Sequence, residues 1–290
     1  KNMLKKVWLI PLFSMIFSFL AFFCGYVIAV MEGHVNAIWP YISDTGTLPP
    51  ESSFFGQFLN LSALFLALTA YLRHRQIVEF YWHRHHVEGK WRFFSLIFLF
   101  IGYASSLGVS MVANFQQHST TMYFHYSGAL LAFGGGLIYA WGQTIFSYIM
   151  SPKLVWKFVS HFRFVLTTIA TMTFFTMIIF GCILGRSKEK HKEHEHYKLL
   201  RWKTDMPNYK EHTIGTCSEW IMAICFEIYI LSFVVELRDS SLHAPKLNIN
   251  SDLDENNDDI KSYSSKGTET SDLTLPSPIT FITISYDDVH

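Results

Sequence analysis

Trp39-Pro40-Tyr41-Ile42-Ser43-Asp44-Thr45-Gly46-Thr47-Leu48-Pro49-Pro50-Glu51 places turn-forming residues between two long apolar runs, 7–31 and 53–72. Asp44-Thr45-Gly46 spells the short motif of an aspartic protease, and the reading of that motif decides the fold. Aspartic protease chemistry needs two carboxylates sharing one proton, one acting as base and the other as acid. The chain has no second such motif, and a loop between two helices has no room for the strand-rich body that the chemistry requires. The loop reading stands instead. Pro40, Gly46, Pro49 and Pro50 confine the backbone to turns, in which Asp44 or Ser43 is expected to accept backbone N–H bonds.

Outward from this loop the chain is apolar. Of 290 residues, 50% are hydrophobic and only 16% charged, a balance that fits a membrane protein better than a soluble domain of this length. Six runs, 7–31, 53–72, 93–114, 123–149, 164–185 and 216–237, are long enough to cross about 30 Å of hydrocarbon as helices of roughly 20 residues. They lack the alternation of a barrel strand, so the expected fold is all-α: a polytopic membrane bundle of six transmembrane helices spanning 1–237. The first run follows Lys5 and Lys6 like a signal peptide but has no convincing cleavage site, so it reads as a retained span.

Lys and Arg collect in cytoplasmic loops. Lys1, Lys5 and Lys6, then Arg73, Arg75, Arg84, Lys90 and Arg92, then Lys153, Lys157 and Arg163 fall on one side. Loops 32–52 and 115–122 contain no Lys or Arg. Both termini are therefore expected in the cytoplasm. Loop 186–215 dissents, since it is rich in Lys and Arg yet is lumenal if all six runs span; a re-entrant fifth run is the alternative. From Arg238 onward the composition cannot bury enough apolar surface to offset ordering entropy, and 238–290 reads as a disordered cytoplasmic tail. Near its end Tyr286-Asp287-Asp288-Val289 has the tyrosine-x-x-apolar pattern of a sorting signal, with Tyr286 and Val289 as the residues an adaptor would read.

Ionisable and polar groups inside a bilayer are functional candidates by default. Glu227 lies midway along the sixth run and Glu219 two turns earlier. His125, Asn60 and Asn114 are the expected intramembrane partners of Glu227; the alternative to a relay is a neutral Glu227 hydrogen-bonded within the bundle. Asn60-Leu61-Ser62 is a sequon, but it falls inside the second run. Gly128, Ala132, Gly136 and Ala140 form a smooth ridge on the fourth run, for bundle packing or for a homodimer, and Gly181 and Gly185 repeat that spacing in the fifth. His83, His85 and His86, and His191, His194 and His196, are close enough in sequence to suggest zinc, although solvated charge is the plainer reading. Cys24, Cys182, Cys217 and Cys225 read as free thiols, with a Cys182–Cys217 bridge as the alternative. The phosphate-binding, metalloprotease and hydrolase motifs are absent, so neither an enzyme nor a bound cofactor is expected.

The first-loop residues Pro40, Tyr41, Ser43, Asp44, Gly46, Pro49, Pro50 and Glu51, with Ser218-Glu219-Trp220 at the head of the sixth run, resemble the DNA damage-regulated autophagy modulator family. That family belongs to the wider FRAG/DRAM/Sfk superfamily of six-span membrane proteins. The resemblance covers about 7–237 and implies a non-enzymatic lysosomal or endolysosomal membrane protein that promotes autophagy. It implies membrane lipids and autophagy or lysosomal membrane proteins as partners, without nucleic acid, and marks Asp44, Pro49, Glu51, Glu219 and Trp220 as family positions. Two alternatives stay open: a transporter or channel using Glu227 and His125, and a plasma-membrane scaffold that organises lipid.

Overall fold

The computed structural model describes residues 3–84, 89–117, 122–184 and 200–243. The tail, Gly185, the histidine triplet 191–196, Tyr286 and Val289 lie outside them, as do the side chains of His83, His85 and His86. Residues 1–244 form one compact unit. Its elements are α1 (Leu9–Met31), a 3-10 turn (Asp44–Gly46), α2 (Glu51–Val78), α3 (Trp91–Asn114), α4 (Met122–Ala129), α5 (Gly136–Ile149), α6 (Lys157–Thr176), α7 (Tyr209–Leu231) and α8 (Val234–Leu237). π-Helical turns extend α2 and α6 and join α4 to α5 in one continuous helix.

Six segments can span a membrane: Leu9–Met31, Glu51–Tyr81, Trp91–Asn114, Met122–Ile149, Lys157–Leu184 and Tyr209–Leu237. Only 17% to 50% of the most apolar window of each is buried inside the protein. Outward faces carrying Phe23, Leu64, Phe100, Ile145 and Phe175 are left as an apolar exterior, as expected where lipid replaces water. Each span packs on its sequence neighbour, and α7 returns to α1, so the six close into a ring. A two-residue antiparallel pairing of β1 (Met3–Leu4) with β2 (Leu242–His243) brings the first span's entry and the last span's exit to one end of the ring.

The fifth run crosses fully. At its far end Gly181 meets Gly215 of α7, where a Cβ added to Gly215 would lie 2.6 Å from the Gly181 Cα. Residues 200–208 then pack beside the first loop through Asn36, whose amide donates to the Trp202 carbonyl. The later part of loop 186–215 therefore shares an end with loop 32–50, and a re-entrant run is excluded. The ridge on the fourth span is occupied within the chain: a Cβ on Gly128 would come within 2.6 Å of the Met111 Cβ on α3. In the π turn the Ser105 hydroxyl donates to the Ala132 carbonyl at 3.0 Å, a local use of backbone that this geometry makes available.

Two expectations need correction. The second span runs on to Tyr81 and the fifth begins at Lys157, so Arg73 and Arg163 are not loop charges. Both are fully buried, at 0% exposure. Hydropathy places a span's end where charge begins, but here the charge is paired within the bundle and the helices continue through it. Glu236 accepts from Arg73 Nη1 with one oxygen and from Arg163 Nη1 with the other, the latter at 2.6 Å. The Phe233 ring lies 4.5 Å from each guanidinium carbon. Gln143 Oε1 accepts from Arg73 Nε at 3.3 Å, and Ser232 and Ser147 hydroxyls accept from Arg163.

This cluster joins the second, fifth and sixth spans through one carboxylate, and two cations then depend on it. Removing one partner of a buried pair costs about 3–5 kcal/mol, whereas replacing the whole set by matched apolar groups is often neutral. Glu236→Gln is accordingly expected to lower the thermal midpoint of the detergent-purified protein sharply, and Arg73→Met/Arg163→Met/Glu236→Leu to recover much of the loss. A Glu236→Gln melt equal to that of the parent chain would remove the cluster from its structural role.

Candidate functional site: a capped intramembrane cavity

The first loop folds back onto the bundle. Its Asp44–Gly46 turn is buried, held by Gly46 N–H to the Ser43 carbonyl and Thr47 N–H to the Asp44 carbonyl, with the Thr45 hydroxyl on the Ile42 carbonyl at 2.7 Å. Ser43 and Asp44 thus accept backbone N–H bonds within the turn through their carbonyls, and the Ser43 side chain is used elsewhere. Its hydroxyl donates to Gln117 Oε1 at 2.6 Å and ties this loop to the one after the third span. Pro50 precedes α2, and Glu51 opens that helix with no exposed surface, 2.6 Å from His34 Nδ1. A carboxylate in a first helical turn is also favoured by the helix dipole.

Two adjacent residues of α7 grip the loop. Glu219 Oε2 accepts the Ile42 N–H at 2.8 Å, and Trp220 Nε1 donates to the Pro40 carbonyl at 2.9 Å. The indole packs against Phe22, Phe23 and Tyr26 of α1, each ring centroid 6.3 Å away. Between the two gripped positions, Tyr41 turns toward His212, edge to face at 5.0 Å, and His212 stacks on Trp202 at 3.9 Å. The Tyr41 hydroxyl is directed at the crossing of Gly181 and Gly215, where only a hydrogen side chain leaves room for it. Burial, reinforced by the nearby Glu219, Cys182 and Asp44, pushes its phenol well above the usual range, so Tyr41 serves as a neutral group.

Beneath this cap lies a cavity of about 120 Å³, enclosed by the first, second, third, fourth and sixth spans. Glu219, His125, Ile42 and Ser43 line its capped end, Glu227 and Ser18 its middle, and Tyr139 and Ile230 its far end. From Glu219 to Ile230 the axial rise is about 16 Å at 1.5 Å per residue. The structure thus brings Glu219, Glu227 and His125 to one space, but not Asn60 or Asn114. Those two amides bond each other reciprocally at 3.0 Å on the seam between α2 and α3, joined by Ser110, and are no partners of Glu227. His125 Nδ1 is 2.6 Å from the Phe115 carbonyl.

The neighbour of Glu227 is Ser18, whose hydroxyl also lies 2.6 Å from that of Ser62. Neither serine, nor Tyr139, nor Glu236 could be singled out from spacing, because each is an ordinary residue until another span meets it. Cys24, Cys182, Cys217 and Cys225 are free thiols, so Cys182 and Cys217 are not bridged. Among the described residues no group of three His, Cys, Asp or Glu is placed to hold a metal.

If Glu219 clamps the loop by accepting the Ile42 N–H, Glu219→Gln retains an acceptor and Glu219→Leu leaves a buried donor unpaired, a loss of about 1–3 kcal/mol. The expected result is fast amide hydrogen exchange over 40–47 in Glu219→Leu and near-parental protection in Glu219→Gln. Equal protection in both variants would show that the clamp does not hold the loop.

The sequence model of the Frag1/DRAM/Sfk1/Cwh43P N-terminal domain matches residues 6–240. Human DNA damage-regulated autophagy modulator protein 1 is 32% identical over 252 residues, covering 86% of this chain and 98% of that protein. Human DNA damage-regulated autophagy modulator protein 2 is 34% identical, covering 80% and 85% respectively. A Xenopus laevis protein named modulator of macroautophagy TMEM150B-B is 35% identical over a shorter stretch, 53% of this chain and 64% of its own. No solved structure matches. The six-span ring, the loop clamped by Glu219 and Trp220, and these similarities across most of the chain agree: it belongs to the DRAM family, within the Frag1/DRAM/Sfk1/Cwh43P group of membrane proteins.

Proposed function

We propose that this chain is a multi-pass membrane protein that modulates autophagy from the lysosomal or endolysosomal membrane, without catalysis, through partner proteins or local lipid organisation. The observation that carries the reading is the family match over residues 6–240, with relatives named as autophagy modulators along nearly their full length. The cap supports it, because the family positions Tyr41, Asp44, Glu51, Glu219 and Trp220 converge at one end of the ring, where they hold the first loop against the bundle.

Both termini are assigned to the cytoplasm. Removing buried Arg73 and Arg163 from the count leaves Lys5, Lys6, Arg75, Lys90, Arg92, Lys153 and Lys157 on the side of the β1–β2 pairing, the arrangement that cytoplasmic loops favour. On this reading the cap faces the lumen, and the tail with Tyr286 and Val289 is on the side where a sorting adaptor acts.

The test is the compartment of the tagged full-length protein together with autophagic flux after its loss. Lysosomal residence and a flux defect restored by the parental chain are expected. Unchanged flux with residence at the cell surface would overturn the reading in favour of a plasma-membrane scaffold. Tyr286→Ala is expected to shift the protein toward the surface, and an unaltered distribution would discard the tail signal.

A second reading has one observation in its favour: Glu227 and His125 line the same cavity, as a transport path would require. Solute or proton flux in proteoliposomes that is lost in Glu227→Gln would support transport, and absence of flux would leave the first reading alone.

A further inference from the structure

The arginine cluster of the bundle is unbalanced in charge. It holds two guanidinium groups and one carboxylate, and among the described residues no other carboxylate pairs with either arginine. Arg73 and Arg163 have no exposed surface, so one positive charge is left over inside the spans, where an uncompensated charge is costly. The Phe233 ring attracts both cations, 4.5 Å from each guanidinium carbon, but a ring carries no net charge to cancel theirs.

The second observation is the pattern of unused donors. In Arg73, Nε donates to Gln143 and Nη1 to Glu236 and Gln76; in Arg163, Nε donates to Ser232 and Nη1 to Ser147 and Glu236. Nη2 of each arginine is buried and has no partner. Buried polar atoms are nearly always paired, and a guanidinium nitrogen can only donate. The missing group is therefore an acceptor.

A third unpaired atom lies beside them. Tyr139, 4% exposed, keeps a buried hydroxyl without a partner. It stands one turn before Gln143 on α5, whose amide oxygen accepts from Arg73 Nε at 3.3 Å, and so shares that face of the helix. Its ring lies against Gly102, where an added Cβ would be 3.0 Å from Tyr139 Cε2 and 2.9 Å from the Cβ of Ala70, one turn before Arg73 on α2. The hydroxyl is in the field of both guanidinium groups. The cavity beneath the cap ends at Tyr139 and Tyr229, and the Arg163 guanidinium carbon is 5.9 Å from the Tyr229 ring, so open space adjoins the cluster.

We propose that the Arg73–Arg163 pair is a binding site for a small monovalent inorganic anion of the halide class, held by the two Nη2 groups with the Tyr139 hydroxyl as a further donor. Such an ion brings the cluster to zero net charge and supplies the acceptor that the nitrogens lack. Neither arginine reaches the surface, so the occupant is a free ion rather than the headgroup of a lipid. The site stands apart from the autophagy reading, and binding at equilibrium makes no claim that the anion is moved.

The test uses the full chain in phosphatidylcholine nanodiscs, with empty discs as the reference and radiolabelled chloride as the probe, sodium gluconate holding the ionic strength constant. Saturable binding is expected, displaced by bromide and not by the bulkier gluconate. The melting midpoint should rise as chloride replaces gluconate, as it does for any ligand of the native state alone. Tyr139→Phe removes an unpartnered hydroxyl and so keeps the fold; it should weaken chloride several-fold, as the loss of a charge-assisted hydrogen bond implies. Arg73→Met/Arg163→Met/Glu236→Leu, which removes the charges and keeps the packing, should bind none. The proposal is overturned by an absence of saturable binding, which would leave water on the unpaired groups, or by gluconate displacing chloride as readily as bromide does. Undiminished binding in Tyr139→Phe, or binding retained in the triple variant, would overturn it as well. So would displacement of chloride by phosphatidylglycerol added to the discs, which would assign the site to a lipid phosphate.

Discussion

One carboxylate shared by two buried guanidinium groups sets the geometry of the ring. Glu236 reaches Arg73 on the second span and Arg163 on the fifth, and the Phe233 ring stacks between the two cations. In hydrocarbon an isolated charge is costly, so each arginine confines its helix to a position where Glu236 can be met. Hydrophobic burial cannot give this constraint, because lipid tails are as apolar as the side chains between helices. The sixth span is thereby held at the arginine end, and its other end is free to receive the first loop.

At the cap the same economy recurs with neutral partners. Glu219 and Trp220 are neighbours on α7, yet they grip the loop at Ile42 and Pro40, on either side of Tyr41, which orients its ring. Fixing three consecutive residues leaves the Asp44–Gly46 turn little freedom. The aspartate that resembles a protease motif is thus built into a lid, buried and close to Tyr41, His212 and Glu219.

The number of spans, their order and the loop between the first two were legible in the sequence, because a run of twenty apolar residues has few other solutions in a lipid setting. Boundaries were less so. Arg73 and Arg163 read as loop charges because hydropathy carries no information about a partner 73 or 163 residues away. Glu227 was recognisable as costly, but its neighbours were misassigned: Asn60 and Asn114 satisfy each other, and a hydroxyl of the first span, Ser18, itself bonded to Ser62 of the second, takes the place beside Glu227. Glu219 stood out as an ionisable group at the head of the sixth run, and Trp220 only through resemblance. Pairings across spans arise from the ring's closure, and no local spacing encodes them.

The sixth span carries three acidic groups of the interior, Glu219, Glu227 and Glu236, each engaged at a different depth by a different set of spans. It acts as a shaft keyed at three heights. Rotating or sliding it alone would unseat the lid, the cavity wall and the arginine pair together, so its partners must travel with it. Any motion of the sixth span is therefore a motion of one rigid body that includes parts of its neighbours.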